Sequence, residues 1–489
     1  MRKLCLFFFL LLSVFIVEAQ QKVALSGKVT DNTGVGLPGV SILVKGTSTG
    51  TVTGIDGDYK LETSTGSTLV FSFIGFVSQE ILVGNQSSID VMLQESVVGL
   101  DEVIVVGYGK MTVKDLTSSI TTVKSDELVK TPTGQAMQAL QGKVAGLQVV
   151  SSGGPGDSPT VRVRGIGSYP GQNNEAPLYV VDGMFFDNID FLNTADIASV
   201  SVLKDASAAA IYGVRAANGV VLIETKSGTY NQKAEITYDG YYGTQVAQNV
   251  LKMANAEQFT TMAMESGSAA DQSFVLNAMQ RYGRSRVNPN VPDVNTDWYN
   301  EILRPASIQN HSLNFTGGGN QASYSLGTNY FSQDGILDMK NQYERFNLRA
   351  KIDFKATDWL TVGGNVVFSN ALKFNDEEGA WNQAYFAVPI MPVYDEQNVD
   401  AWPEHFSNAQ DLGYRSGQNP FPTLLYNENR LKIRKTIANF YAQFQLVPEK
   451  LSFKTTYSQA FSALDERNVN LPYYMGNNFQ RPDATLTQK

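Results

Sequence analysis

Phe346-Asn-Leu-Arg-Ala-Lys-Ile-Asp-Phe354 alternates strictly. Phe346, Leu348, Ala350, Ile352 and Phe354 fall on one side of an extended chain, and Asn347, Arg349, Lys351 and Asp353 on the other. Successive side chains of a strand point to opposite faces, which gives this period of two. A soluble sandwich strand reads the same way locally, so the stretch gains its meaning by repetition. Ala322, Tyr324, Leu326, Thr328 and Tyr330 alternate with Gln321, Ser323, Ser325, Gly327 and Asn329. Phe440, Ala442, Phe444 and Leu446 alternate with Tyr441, Gln443 and Gln445. Long amphipathic strands repeated in this way fit a barrel with lipid outside and a polar interior. Thr357-Asp-Trp359 and Pro448-Glu-Lys450 make short turns into further alternating strands at 360–368 and 451–457. Between those two hairpins lies a long irregular segment, roughly 369–430. Short turns at one end and long loops at the other mark the periplasmic and extracellular sides of an outer-membrane barrel. Trp359, Tyr441 and Tyr457 suit the membrane interface, and each suits core or loop packing equally well.

The rest of the chain divides into smaller parts. Residues 22–94 read as short strands at 23–30, 40–44, 51–53, 58–62, 68–73, 78–82 and 89–93. The turns Asp31-Asn-Thr-Gly34, Gly36-Leu-Pro-Gly39 and Ile55-Asp-Gly-Asp58 join them into a small β-sandwich. Asp56, Asp58 and Glu62 lack an EF-hand ligand series and read as a polar turn. Residues 110–228 form a mixed α/β unit. A helix is expected over 133–143, with Thr133 as cap and Ala136, Met137 and Leu140 on its apolar side. Strands are expected at 147–150, 160–164, 178–181, 197–203 and 219–225. The glycine-rich turn Ser151-Ser-Gly-Gly-Pro-Gly156 lacks the lysine-serine continuation of a phosphate loop.

Between these two parts stands Asp101-Glu-Val-Ile-Val-Val-Gly-Tyr-Gly109, an apolar run where a polar linker belongs. Exposed strand-formers invite pairing with another chain, and a partner that completes the segment as a strand would account for it. A hydrophobic linker packed on either neighbour is the other account.

The N-terminus carries an export signal by pattern: Arg2 and Lys3, an apolar run over 4–17, and Val17-Glu-Ala19 before Gln20. The single cysteine, Cys5, falls within that segment, so neither a disulfide framework nor a thiolate metal site is expected in the mature chain. The net charge of -9 with no basic block argues against nucleic acid. His311 and His405 are widely separated without metal-ligand spacing, and no nucleophile–base pair is recognisable. No metal, cofactor or catalytic site is therefore expected.

The motifs in their order resemble the N-terminal half of a SusC/RagA-type TonB-dependent outer-membrane transporter. Gly27-Lys-Val-Thr-Asp31, Leu37-Pro-Gly-Val40, Gly57-Asp-Tyr59 and Phe73-Ile-Gly-Phe-Val77 are similar to that family's carboxypeptidase-regulatory-like extension. Residues 101–109 are similar to its TonB box. Ala139-Leu-Gln-Gly-Lys-Val-Ala-Gly-Leu147, Val161-Arg-Val-Arg-Gly165, Leu178-Tyr-Val-Val-Asp-Gly183, Val202-Leu-Lys-Asp-Ala-Ser-Ala-Ala-Ala-Ile-Tyr-Gly213 and Arg215-Ala-Ala-Asn-Gly-Val-Val-Leu-Ile223 resemble its plug. Ala216 stands where the family commonly has glycine. The expected division is a signal peptide at 1–19, sandwich at 20–96, TonB box linker at 97–109, plug at 110–228 and the first part of an antiparallel transmembrane β-barrel at 229–489. Such barrels have 22 strands, and too few are visible before Lys489. The chain is thus expected to be a fragment or a truncated product, since an open edge in lipid leaves backbone groups unpaired.

The resemblance implies energised import of an oligosaccharide or peptide across the outer membrane, with the N-terminal domain in the periplasm. Asp101, Glu102, Val103, Ile104, Val105, Val106, Gly107 and Tyr108 would meet TonB. Arg162, Arg164, Asp182, Lys204, Asp205 and Arg215 would form ion pairs that hold the plug. A SusD-like lipoprotein would cap the extracellular loops. Trp381, Tyr385, Tyr394 and Trp402, with Phe386 and His405 nearby, are candidates for contacts to that lid or to substrate, ordinary loop packing being the alternative. A TonB-linked signal-transducing receptor and a secreted β-rich binding or adhesion protein remain as other readings.

Overall fold

The computed structural model describes residues 22–489 except 48, 74–75, 85, 95–102, 107–108, 113–119, 152, 168–174, 376–377, 415–416, 449 and 477–479. The expected signal segment, with Cys5, and Asp101, Glu102, Gly107 and Tyr108 lie outside the described residues. The chain forms two compact units, broadly residues up to 116 and residues from 117 onward.

The first unit is a sandwich. Strands β1 (Lys22–Thr30), β4 (Asp58–Ser64) and β7 (Val91–Met92) form one sheet in the order β4-β1-β7. The second sheet, ordered β3-β2-β5-β6, comprises β2 (Ser41–Val44), β3 (Gly50–Val52), β5 (Thr68–Ser72) and β6 (Gln79–Leu82). Alternate residues point between them, and Leu25, Val29, Ile42, Leu61, Leu69 and Phe71 make the core. Asp31 closes its turn by accepting from the backbone N–H of Thr33 and of Val35, each at 2.9 Å. Tyr59 donates to the Ile89 carbonyl at 2.8 Å, and burial followed by the Asp90 charge pushes its pKa up to about 12. The hydroxyl therefore remains a donor throughout the neutral range. Strands β8 (Val103–Val106) and β9 (Gly109–Thr112) pair as a two-stranded sheet.

The second unit holds an α/β core against a large antiparallel sheet. The core contains β10 (Ile120–Lys124), the hairpin β11 (Leu147–Val150) and β12 (Thr160–Val163), β13 (Leu178–Val181), β14 (Met184–Phe186), β15 (Ile197–Leu203) and β16 (Val220–Thr225). Five of these form a sheet ordered β10-β15-β16-β13-β14. The helix expected over 133–143 does not form: only a 3-10 turn at Gln138–Leu140 appears. Thr133 still uses its hydroxyl locally, accepting from the Gln135 N–H at 3.2 Å. Ala136, Met137, Ala139, Leu140 and Val144 are all buried, so tertiary packing on several sides overrides the one-sided helical pattern. Gly134 sits so close to the wall that a Cβ there would lie 2.3 Å from the Phe331 ring.

The large sheet comprises β17 (Glu235–Gln245), β18 (Ala306–Gly318), β19 (Ala322–Asp334), β20 (Gln342–Thr357), β21 (Leu360–Phe374), β22 (Asn427–Val447) and β23 (Leu451–Asn470), followed by the short strand Thr485–Gln488. Each pairs antiparallel with the next, and the sheet is not closed. Its burial pattern is inverted relative to a soluble sheet. On β20, Phe346, Leu348, Ile352 and Phe354 are exposed, whereas Arg345, Asn347 and Arg349 are buried. Tyr324, Leu326 and Tyr330 on β19 and Phe440 on β22 are exposed likewise. An apolar outer face and a polar inner face are the requirement of a membrane barrel. No described helix is long and apolar enough to cross a membrane.

Tyr441 departs from the interface expectation. It lies on the inner face, where its hydroxyl donates to Asp353 at 2.6 Å. Trp359 and Tyr457 are exposed, with Trp359 stacked on Phe444 at 6.1 Å.

The segment expected to be irregular over 369–430 is shorter and more ordered. The flanking strands extend to Phe374 and from Asn427, and helices occupy Glu378–Phe386 and Phe421–Tyr426. The connection after β17 carries three more, Ala256–Glu265, Ala269–Tyr282 and Trp298–Ile302. Asn255 and Gln258 form a capping box at the first, and Ser268 caps the second. Phe259, Phe274 and Trp298 from one connection share a core with Ala384, Ile390 and Leu424 from the other. Asp395 ties the two together, accepting from Arg281 Nε at 2.6 Å and from the Tyr282 hydroxyl at 2.9 Å. Its side chain is 4% exposed, so Asp395→Ala leaves a mostly buried guanidinium unpaired, at about 3 kcal/mol. Limited proteolysis of the folded protein should show cleavage within 246–305 and 375–426 accelerating, with cleavage elsewhere unchanged.

Candidate functional site

The inner face of the large sheet is a docking wall for the α/β core. Four consecutive inward residues of β20 reach it. Arg345 donates to the carbonyls of Asp190 and, at 3.0 Å, Gly134. Asn347 donates to the Phe191 carbonyl at 2.9 Å. Arg349 Nε binds Asp196 at 3.0 Å, while its two terminal nitrogens reach the Lys226 carbonyl at 2.7 Å and Ser325 Oγ at 3.0 Å. Lys351 Nζ stands 3.6 Å from Asp182. Neighbouring strands add Ser312, which accepts from Asn193 Nδ2 at 3.1 Å, and Lys435, which donates to Asn188 at 2.9 Å. Val367 and Ile437 join the apolar core of the docked unit.

A tight hairpin supplies the main anchor. Asp182 and Gly183 both have positive φ, 47° and 86°, as a two-residue connection between antiparallel strands demands. The turn projects the Asp182 carboxylate at the wall, where it accepts from Asn365 Nδ2 at 2.6 Å, while Thr225 Oγ1 of the docked unit itself donates to it at 2.5 Å. Its carbonyl accepts from Asn439 Nδ2 at 3.2 Å. One turn thus engages β20, β21 and β22.

A glycine makes room for the second anchor. Gly327 is the register partner of Arg349, and a Cβ on it would lie 2.4 Å from Asp196 Oδ1. Gly327→Ala should push the carboxylate off Arg349 and lower stability by about 2 kcal/mol, read as a fall in the thermal midpoint of the detergent-solubilised protein. A midpoint equal to the parent's would mean that the wall yields.

Among the charged residues singled out in the sequence, Asp182 bonds the wall. Arg162 pairs with Glu175 at 2.7 Å, Arg164 with Asp205 at 2.7 Å, and Arg215 with Asp187 at 3.0 Å, all within the docked unit. Lys204 donates to Thr121 at 2.8 Å and to the Ala145 carbonyl at 3.0 Å. Arg345, Arg349 and Asp196 lie outside that set. The signal for them was present in part: two arginines on the polar side of an amphipathic strand need buried partners.

Val103, Ile104, Val105 and Val106 are extended, as expected, and pair with Gly109–Thr112. Of the loop aromatics, Trp381 is half-buried and lies 5.8 Å from Tyr299 within the loop core. Tyr385, Phe386, Tyr394 and Trp402 are exposed. Tyr394 stacks on Phe406 at 5.3 Å, and His405 is held by the Asn398 carbonyl at 3.0 Å.

A family model described as TonB-dependent Receptor Plug Domain matches residues 112–220, and one described as CarboxypepD_reg-like domain matches residues 25–105. The first covers the docked α/β unit and the second the sandwich. Along nearly its whole length the chain is 31% identical to TonB-dependent receptor SusC of Bacteroides thetaiotaomicron, over 96% of this chain and 47% of that protein. The chain belongs to the SusC/RagA-type TonB-dependent receptors. TonB-dependent receptor P3 of Formosa agariphila is 37% identical over 93% of this chain and 43% of its own length. The RagAB peptide importer in its open-open state superposes with a TM-score of 0.59 at 26% identity, over 76% of this chain and 43% of the solved one. The chain spans less than half the length of the curated relatives it matches. The docked unit is therefore the receptor plug, and the open sheet is part of its barrel wall.

Proposed function

We propose that the receptor built on this chain imports an oligosaccharide or peptide across the outer membrane. TonB drives the step from the periplasm, and a SusD-like lipoprotein works at the extracellular loops. The observation that carries this reading is the clamp. A plug held to the inner wall by Asp182, Asp196 and the β20 arginines is a closure that side-chain rearrangement can open. Kinship to SusC and to a peptide importer supports nutrients as cargo without choosing between glycan and peptide. The short turns after β18, β20 and β22 belong to the periplasmic side, and the helical loop module faces outward. Under this reading Val103 to Val106 meet TonB, and Tyr385, Tyr394 and Trp402 are available to a lid or to cargo, while Trp381 packs within the loop core. The test is uptake of labelled oligosaccharides and peptides by cells carrying the complete receptor, with and without TonB and the neighbouring lipoprotein gene. Uptake that persists undiminished without TonB would sink the proposal.

A further inference from the structure

The outward face of the wall carries a second site, above the apolar belt. On β21, β22 and β23 the belt runs through the register rows Leu360–Phe444–Phe453, Gly364–Phe440–Tyr457 and Phe368–Thr436–Phe461. Towards the extracellular end the rows become Asn370–Arg434–Ala463, Leu372–Lys432–Asp465 and Phe374–Arg430–Arg467. The alternation fixes their direction. Ile433, Lys435, Ile437 and Asn439 point inward to the plug or the inner apolar cluster, so Arg430, Lys432 and Arg434 point out. The stretch therefore places four cations on three successive rows at the level where lipid tails give way to headgroups.

Two details separate this ladder from ordinary surface charge. Arg430 and Arg467 stand directly opposite each other, an arrangement that repels and destabilises an antiparallel pair unless an anion lies between. Arg430 Nε is also buried without a hydrogen-bond partner, a cost that a native structure normally avoids. Inward cations facing the plug are engaged: Arg345, Arg349, Lys351, Lys373 and Lys435 each have a partner on it. Among the described residues, no carboxylate forms an ion pair with Arg430, Lys432, Arg434 or Arg467. Asp465 is the carboxylate within the ladder and Glu344 lies two strands away. Glu428, one row higher, is taken by Lys340 at 3.2 Å.

We propose that Arg430, Lys432, Arg434 and Arg467 bind the phosphate of an outer-leaflet lipid headgroup, with Arg430 and Arg467 gripping it from two strands. Guanidinium forks match phosphate oxygens, and such charge-assisted bonds are among the strong ones. The belt below takes the acyl chains of the same lipid. The proposal rests on the outer-membrane reading above.

The test uses the complete receptor in nanodiscs of phosphatidylcholine doped with phosphorylated lipid A, with the same glycolipid after phosphatase treatment, or with inorganic phosphate in the buffer. Phosphorylated lipid A should raise the thermal midpoint, and the Arg430→Gln/Arg467→Gln variant should weaken its retention by about tenfold. In lipid lacking the glycolipid, Arg467→Gln alone should melt above the parent, because it removes a like-charge pair. Lowered stability in both lipids would indicate a merely structural role and overturn the proposal. So would equal affinity for the two glycolipid forms, or an equal midpoint shift with inorganic phosphate, which would mean an adventitious ion only. A receptor absent from the outer-membrane fraction would instead defeat the import reading. Normal localisation and uptake with unaltered lipid retention would defeat this proposal alone.

Discussion

Val105→Pro should reduce TonB-dependent uptake by more than about tenfold while leaving receptor abundance and cargo binding unchanged. Val103–Val106 is a strand in a sheet of two, so the described pairing occupies one of its edges. TonB completing that sheet would use the backbone of the other edge, and the valine and isoleucine side chains would set only extended geometry. Proline removes a backbone donor and fixes φ away from the strand value. One buried, unmade hydrogen bond costs about 1–3 kcal/mol, and 1.4 kcal/mol is a factor of ten in affinity. Val105→Thr retains strand propensity and should transport normally. Removing residues 101–109 should match the loss of TonB itself. The comparison is initial uptake rate against cargo binding to whole cells, for each variant. Full uptake by the proline variant would show that energy enters elsewhere. A signal-transducing receptor would instead lose transcriptional response while never accumulating cargo.

The barrel was legible in the sequence because lipid makes a strong demand on every second residue. Phe346, Leu348, Ile352 and Phe354 announce the outer face without knowledge of any partner. Of the plug anchors, Asp182 was reached through the family resemblance, and the Arg349–Asp196 pair was not legible. Arg349 meets Asp196 across 153 positions, and no local pattern connects them. Thr133 to Lys143 misled because Ala136, Met137 and Leu140 fit a helical stripe, yet these residues are gripped on several sides and Gly134 must lie flat against Phe331. The loop helices were within reach. Asn255 with Gln258, followed by Phe259 and Ala263 on one side, is a capping box ahead of an apolar stripe. The resemblance placed Asp182 among the residues that hold the plug, but which strands it meets required β20, β21 and β22 to be in place.

Arg349→Ala should free the plug from the wall and make the outer membrane leaky. Arg349 is 1% exposed and the Asp196 side chain 8%, so truncation strands a buried carboxylate. Breaking a buried pair by removing one partner costs about 3–5 kcal/mol, a large share of what holds a docked domain. Two further acceptors, Ser325 Oγ and the Lys226 carbonyl, also lose their donor. The expected result is raised susceptibility to a large antibiotic normally excluded by the membrane, together with faster protease cleavage inside the plug. Arg349→Lys keeps the charge but cannot serve three acceptors in one plane, so its leak should be intermediate. Arg349→Met combined with Asp196→Leu should recover much of the loss, because removing both charges leaves nothing buried and unpaired. That recovery separates an electrostatic clamp from simple wall collapse, in which the double variant would leak at least as badly as either single one. If Arg349→Ala neither leaks nor exposes the plug to protease, the clamp is not what keeps the receptor closed.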